Sequence, residues 1–524
     1  MKHPNVSKAL EFSRKPLTVV LALGLAVRLV LMPLLQFELD LAYWLRITGL
    51  LDAGFTLYDT PGYYYTPIWG YVVAFFSTLG SLIGISDLGT FVPEITPYIS
   101  GPYFLLEYVV SPAYAVMMKL PIIIADTVTA YLLYDLVKDI TDDDRKAVLA
   151  SALWYLCPFV ILISSVHGMF DSISAMLILS TICFIRKRSY FFGGVSFSLA
   201  VLTKFFPIFL MFFLIAYVFR REGIDRNGVR HLLVVIAGAL IALFVVQLPT
   251  MMKGQFWESS YFLTNRVGLS TDFMYSVTTP KLLAIYGIVS LVLITVMVWF
   301  NRTRYHVLKD RIIDMGYERR NRLVKITLFS SGVVCTLGVI AYAVISLMLL
   351  EGATLVDALG SLGMKGVMLL SLFTLILELY IAYRMLESEA FDDRTVCTFL
   401  LLSSLAIFLW PPLPQYAVVI IPFIALYIAT VDGGFRRPFR AYSAVLFIYE
   451  LFVLNASVLF TLAVYTDLVP LDIPLAVTEV ASMTVMGLPL SGIVLGVLVI
   501  FEYLAMLAMF KYLYDRWKAW SNEE

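Results

Sequence analysis

Two carboxylates stand two residues apart in Glu38-Leu39-Asp40, directly after the first long apolar run of the sequence. An acid at the point where a helix leaves a membrane can reach a substrate held at the interface, as a general base or as the ligand of a cation. Ordinary acids of a hydrated helix end have the same spacing. A second polar group is Ser164-Ser165-Val166-His167-Gly168-Met169-Phe170-Asp171-Ser172, between two apolar runs. His167 and Asp171, four residues apart beside a glycine turn, suit a phosphate or a sugar hydroxyl, although a capped helix start would also explain Asp171. Lys204, in Leu202-Thr203-Lys204-Phe205-Phe206-Pro207, falls in the middle of a long apolar segment, 191–220. A lysine at such depth is costly unless it meets an anion, for which a lipid phosphate is one candidate and snorkelling to the interface the alternative.

Three further groups are aromatic or cationic. Tyr64 and Tyr65 belong to Tyr63-Tyr64-Tyr65-Thr66-Pro67 and would form either an aromatic belt or a wall for a sugar or a prenyl chain. Gln415 and Tyr416 are the hydrogen-bonding side chains of a proline-rich turn that begins at Trp410. Arg266 lies in the loop 251–280 with Trp257, Glu258 and Asp272, where it could serve as a phosphate ligand. Arg28, Lys119 and Asp126 are also charged within apolar runs. Lys119 and Asp126 are seven residues apart, two turns on one helix face, which suits pairing inside a bundle.

The elements that must position these residues are set by hydropathy. Of 524 residues, 60% are hydrophobic and 15% charged, with a mean hydropathy of +0.87, too few polar side chains to cover a water-soluble globule. Lys and Arg total 38, as do Asp and Glu, and no basic, aromatic-interleaved module suggests nucleic acid. Cys157, Cys183, Cys335 and Cys397 lie in apolar stretches without CxxC spacing, so neither disulfides nor a zinc site is expected. The run from Pro16 to Phe37 has a basic leader but is long enough to cross a bilayer, and is read as a first transmembrane helix.

The expected fold is an all-α integral membrane bundle of about 12–14 transmembrane helices in one polytopic domain, 1–524. Crossings are predicted near 17–37, 114–137, 147–165, 169–185, 191–203, 206–220, 231–249, 281–300, 325–350, 364–386, 396–411, 415–431, 442–466 and 486–513. Basic segments at the N-terminus, Arg186 to Arg188, Arg220 to Arg230, 301–325, Arg436 to Arg440 and Lys511 to Lys518 place both termini in the cytoplasm by the positive-inside rule. Residues 38–113 then form a long extracytoplasmic loop, with an interfacial helix at 41–53 and a re-entrant or surface-lying helix at 67–84.

The ordered segments resemble the GT-C superfamily of membrane glycosyltransferases. Within it they are most similar to the first mannosyltransferase of glycosylphosphatidylinositol (GPI) anchors and its prokaryotic polyprenyl-phosphate-sugar-dependent relatives. The likeness rests on Glu38-Leu39-Asp40, on "LDAGFTLYDTPGYYYTPIW" (51–69), on "KLPIIIADTVTAYLLYDL" (119–136), on "CPFVILISSVHGMFDS" (157–172), on the Lys204 to Pro207 element and on Gln415-Tyr416. It covers 17–220 well and 221–524 loosely. It implies a catalytic module at 17–220 with an extracytoplasmic site. Asp40, or less readily Glu38, would be the base of an inverting transfer of a hexose, with mannose preferred. The donor would be a dolichyl- or polyprenyl-phosphate sugar and the acceptor a lipid-linked glycan or glycolipid. His167, Lys204 and Arg266 would stabilise the leaving phosphate. No cofactor or metal is expected, although the acidic motif leaves a divalent cation open. The rivals are a transporter or lipid flippase and a non-catalytic subunit of a glycan-assembly complex.

Overall fold

The computed structural model describes residues 16–59, 63, 65–94, 108–256, 258–259, 326, 373–388, 391–408, 414–485 and 488–523. The chain divides into two compact units, Met1–Ser259 with Arg384–Glu524, and Ser260–Tyr383. The elements below belong to the first unit.

Helices α1 (Pro16–Leu34) and α4 (Pro112–Thr141) are both long and apolar enough to cross a membrane. Ser111 starts α4 by accepting the Tyr114 N–H, with Pro112 in the first turn where its missing N–H costs nothing. Between them lie α2 (Glu38–Asp52) and α3 (Pro67–Leu82), helices where the sequence reading expected helical segments at 41–53 and 67–84. The same loop holds a feature the sequence reading lacked. Strand β1 (Gly89–Phe91) pairs antiparallel with β2 (Tyr108–Val110), and Val92, Val109 and Phe460 bury together beside them. Three-residue strands carry too short an alternation to be recognised from sequence.

After α4 comes α5 (Asp144–Tyr155), then α6 (Pro158–Ile161), which continues as a π-helical turn, Leu162–His167. Then follow α7 (Asp171–Arg186), α8 (Tyr190–Thr203), a 3₁₀ turn Phe206–Leu210, α9 (Met211–Glu222) and α10 (Arg226–Met252). Helices α8 and α10 pack at backbone distance. A Cβ on Gly194 would collide with the Val235 carbonyl, and one on Gly238 with that of Phe191. Small residues permit this approach where lipid gives no hydrophobic drive for association. The C-terminal part comprises α11 (Asp393–Ile407), a 3₁₀ segment Pro414–Ile420, α12 (Ile421–Thr430), α13 (Arg436–Leu454), a 3₁₀ turn Asn455–Leu459, α14 (Phe460–Tyr465), α15 (Asp472–Ser482) and α16 (Leu490–Glu523).

The all-helical membrane architecture is as expected, but the described helices divide the apolar runs differently. Five are long and apolar enough to span, or six if the bent pair Asp144–Tyr155 and Pro158–His167 is one crossing. The runs at 191–203 and 415–431 fold as shorter apolar helices, and 169–185 is only the 16-residue α7. At 1.5 Å per residue, α7 and α8 extend about 24 and 21 Å, less than the ~30 Å hydrocarbon layer. The crossings expected at 281–300 and, apart from residue 326, at 325–350 lie outside the described residues, as does the first part of 364–386, up to residue 372.

Two buried cations fasten the bundle. Arg28 on α1 places Nε and Nη2 each 2.9 Å from Asp126 Oδ2 on α4, with both side chains wholly buried. Its Nη1 donates to the Tyr155 and Gly24 carbonyls at 2.7 and 3.1 Å. Lys119 Nζ donates to the carbonyls of Met32, Leu35 and Ser165 at 3.1, 2.7 and 3.0 Å, capping the end of α1 and the π turn together. Many basic residues gather with acids at one end. Arg186 bonds Asp139 (2.7 Å) and Asp393, Lys187 bonds Asp135 (2.8 Å), and Arg188 and His231 approach Glu222 at 3.4 and 3.5 Å.

Candidate functional site

The two acids after α1 have different surroundings, because neighbouring positions on a helix face apart. Glu38 is buried. Its Oε1 accepts from Gln36 Nε2 (2.8 Å) and from the Thr461 hydroxyl (2.7 Å), and its Oε2 accepts the Val110 N–H (3.0 Å). Burial pushes its carboxyl up to about 7, against the pull of these hydrogen bonds. Glu38 therefore ties α2 to β2 and α14.

Asp40 is 22% exposed, and its Oδ2 lies 2.8 Å from His167 Nε2. His167 is the last residue of the π turn and is buried, with its Nδ1 hydrogen-bonded to Glu450 on α13 and the edge of Phe37 packed on its ring at 4.8 Å. Gly168, at φ 80° in the left-handed region that glycine enters freely, then turns the chain into α7. This reversal brings Asp171 back beside the histidine, within electrostatic reach of both His167 and Glu450.

Asp171 is buried at the first turn of α7, with Oδ2 3.2 Å from Lys204 Nζ. Lys204 follows α8 in extended conformation, at the break before the 3₁₀ turn. Its ammonium lies 4.1 Å from the Phe170 ring centre, 5.0 Å from Tyr416 and 5.3 Å from Tyr65, inside cation–π range. Phe170 stacks on Trp69 at 4.5 Å, and Trp44 meets Trp69 edge-on at 5.7 Å. The Thr66 hydroxyl bonds the Leu202 carbonyl, joining the loop before α3 to α8.

Asp40 and His167 thus meet in one polar cluster with Asp171 and Lys204, and Tyr65 and Tyr416 wall the lysine. Gln415 is buried beside Tyr416. Tyr64 and Arg266 lie outside the described residues. Among the described residues the anion facing Lys204 is Asp171, an internal partner, where sequence suggested a lipid phosphate. Glu450 was not anticipated. It is a lone acid in the apolar run "AVLFIYELFVLNA" (444–456), and intramembrane ionisable residues are functional candidates by default, so the signal was present. The same applies to Glu502 on α16. Among the described residues, no group of three or more His, Cys, Asp or Glu is placed to hold a metal ion.

The fold and this cluster define a polytopic membrane protein with a buried, aromatic-walled constellation of acids and bases. Residues 48–282, less than half of the chain, match the family model described as GPI transamidase subunit PIG-U. No curated protein matches the chain significantly.

This match overturns the glycosyltransferase reading. The chain is similar to a GPI-pathway membrane family, not to a mannosyltransferase, and the sugar-phosphate donor and glycan acceptor lose their support. The structure gives a physical reason why the sequence misled. Several residues of the resembling motifs serve the scaffold: Lys119 caps three carbonyls, Asp126 neutralises Arg28, and Glu38 holds β2 and α14. Such constraints are shared by bundles of different activity. The roles of Asp40 and Glu38 as transfer base belonged to that reading and are not carried further.

Proposed function

We propose that this chain is a non-catalytic subunit of a membrane complex of the GPI transamidase type. The carrying observation is the family match over 48–282, which runs from α2 through α10 and so includes His167, Asp171 and Lys204. The geometry agrees with a role in holding and orienting. The acids and bases of the cluster are bonded mainly to one another, and Glu38 has both carboxylate oxygens engaged. In this reading the basic end of the bundle and both termini face the cytoplasm, as the positive-inside rule requires, with Asp40 on the opposite side. In this reading the chain assembles through its lipid-facing helices.

The test is to isolate the tagged full chain from its native membranes in mild detergent. The eluate is assayed for release of a C-terminal signal peptide with transfer of the new carbonyl end to an amine nucleophile such as hydroxylamine. Co-purifying transamidation is the expected result. A chain recovered alone, whose removal leaves membrane transamidation unchanged, would end the proposal.

A further inference from the structure

Among the described residues of the first unit, the buried charges are engaged, with one exception. Arg28 pairs with Asp126, Lys204 with Asp171 and His167 with Glu450, while Glu38 accepts three hydrogen bonds and Lys119 caps three carbonyls. Glu502 on α16 is 3% exposed, and its Oε2 is buried without a hydrogen bond. The Tyr442 hydroxyl on α13, within electrostatic reach of it, is buried and unbonded as well, so the two orphans do not satisfy each other. The other titratable neighbours of Glu502 among the described residues are Tyr449 and Tyr503, which bring no positive charge.

Helices α13 and α16 pack on each other, and each lies in a segment long and apolar enough to cross a membrane. At 1.5 Å per residue, Glu502 stands about 18 Å beyond the start of α16, near the middle of the ~30 Å hydrocarbon layer. A carboxylate held there without a counter-charge is costly, and lipid tails supply neither charge nor hydrogen bonds. A water bridging Glu502 to Tyr442 would satisfy hydrogen bonds and leave the charge. Phe501 and Leu504, close to Glu502 along α16, are both exposed, as are Val497, Ile500 and Leu507. The acid therefore sits at the seam where the packed face of α16 meets its open face, where a long side chain from a neighbouring helix can enter.

We infer that Glu502 is an assembly site: it receives a Lys or Arg carried by a transmembrane helix of another chain, which packs along the exposed stripe of α16 and donates to the Glu502 carboxylate and the Tyr442 hydroxyl. Complementarity of charge selects this occupant over lipid or a wholly apolar helix, neither of which compensates the acid. The inference rests on the reading of this chain as a subunit of a membrane complex, though on none of that complex's chemistry.

Photoreactive benzoylphenylalanine replaces Leu504 in the tagged full chain, which is irradiated in its native membranes, and the crosslinked peptides are sequenced by mass spectrometry. They should map within about one helical turn of a Lys or Arg inside a transmembrane segment of another chain. Glu502→Gln, similar in shape and uncharged, should weaken co-purification of that chain by roughly a hundredfold, the scale of one charge left stranded in a buried pair. Combining Glu502→Lys with reversal of the partner's basic residue to Glu should restore it, which misfolding of the single variants would not allow. Crosslinks confined to lipid or to this chain, a partner segment lacking a basic residue, or wild-type co-purification of Glu502→Gln would each overturn the inference. Transamidation is scored separately: a basic-helix partner without that activity upholds this inference and counts against the transamidase reading alone, and an active complex indifferent to Glu502→Gln does the reverse.

Discussion

Replacing Asp126 by Leu should destabilise the bundle far more than the lost contact area suggests. The substitution leaves the Arg28 guanidinium wholly buried, with two backbone carbonyls and the Tyr155 ring but no counter-charge. Breaking a buried pair from one side costs about 3–5 kcal/mol, because the surviving charge is stranded. At about 1.4 kcal/mol per tenfold, the folded-to-unfolded ratio should fall by roughly two to three and a half powers of ten. Replacing both partners, Arg28→Met with Asp126→Leu, removes both charges and should cost less than Asp126→Leu alone. The assay is unfolding in mixed micelles of rising dodecyl sulfate fraction, followed by tryptophan fluorescence. Trp154 is a local reporter, since its indole donates to the Asp126 carbonyl at 2.9 Å. A single-mutant cost below about 1 kcal/mol, or a double mutant equal to the sum of the singles, would refute the reasoning.

Three further outcomes are expected, the first and third from the same assay. Glu38, raised by burial from an ordinary 4.5 to about 7, contributes stability that is full below pH 4.5 and is lost as pH rises through 7. The midpoint should therefore fall between pH 5.5 and 8 in wild type and stay flatter in Glu38→Gln. Lys119→Met removes the common donor of three carbonyls, at about 1–3 kcal/mol for each acceptor left dry, and should sharply reduce folded yield on size exclusion. Gly194→Ala drives a Cβ into the Val235 carbonyl and should cost about 1–3 kcal/mol, whereas Gly49→Ala, with nothing within 4 Å, should be neutral or stabilise by up to ~1 kcal/mol.

The membrane class, the helix after Glu38 and the proline-started helix at Pro67 were legible because each is written in a local run of apolar spacing or a start signal. The buried pairing of Lys119 and Asp126 with other helices was also legible, since their shared face admits few alternatives. The cluster was half legible. His167, Asp171 and Lys204 were singled out because polar residues are rare in such runs, but their partners could not be derived. One of the two partners of His167, Glu450, comes from α13, 283 residues away, and such pairing depends on helix rotation and depth, which hydropathy does not encode. The activity was misread for a related reason: motif order over 17–220 records how the helices pack, and the same packing serves proteins of different function.

The shortness of α7 and α8 bears on how the chain enters its membrane. Neither can cross the hydrocarbon layer alone, and their junctions carry Asp171 and Lys204, whose partitioning as single charges would be strongly opposed. Both segments are therefore expected to become stable in the membrane only once the ion pair is made and α10 has docked through Gly194 and Gly238. Membrane integration of this pair would then be non-sequential. Residues synthesised early wait for a helix synthesised about 50 residues later, and an insertion factor that shelters marginal hairpins would limit its yield more than the hydropathy of any one segment.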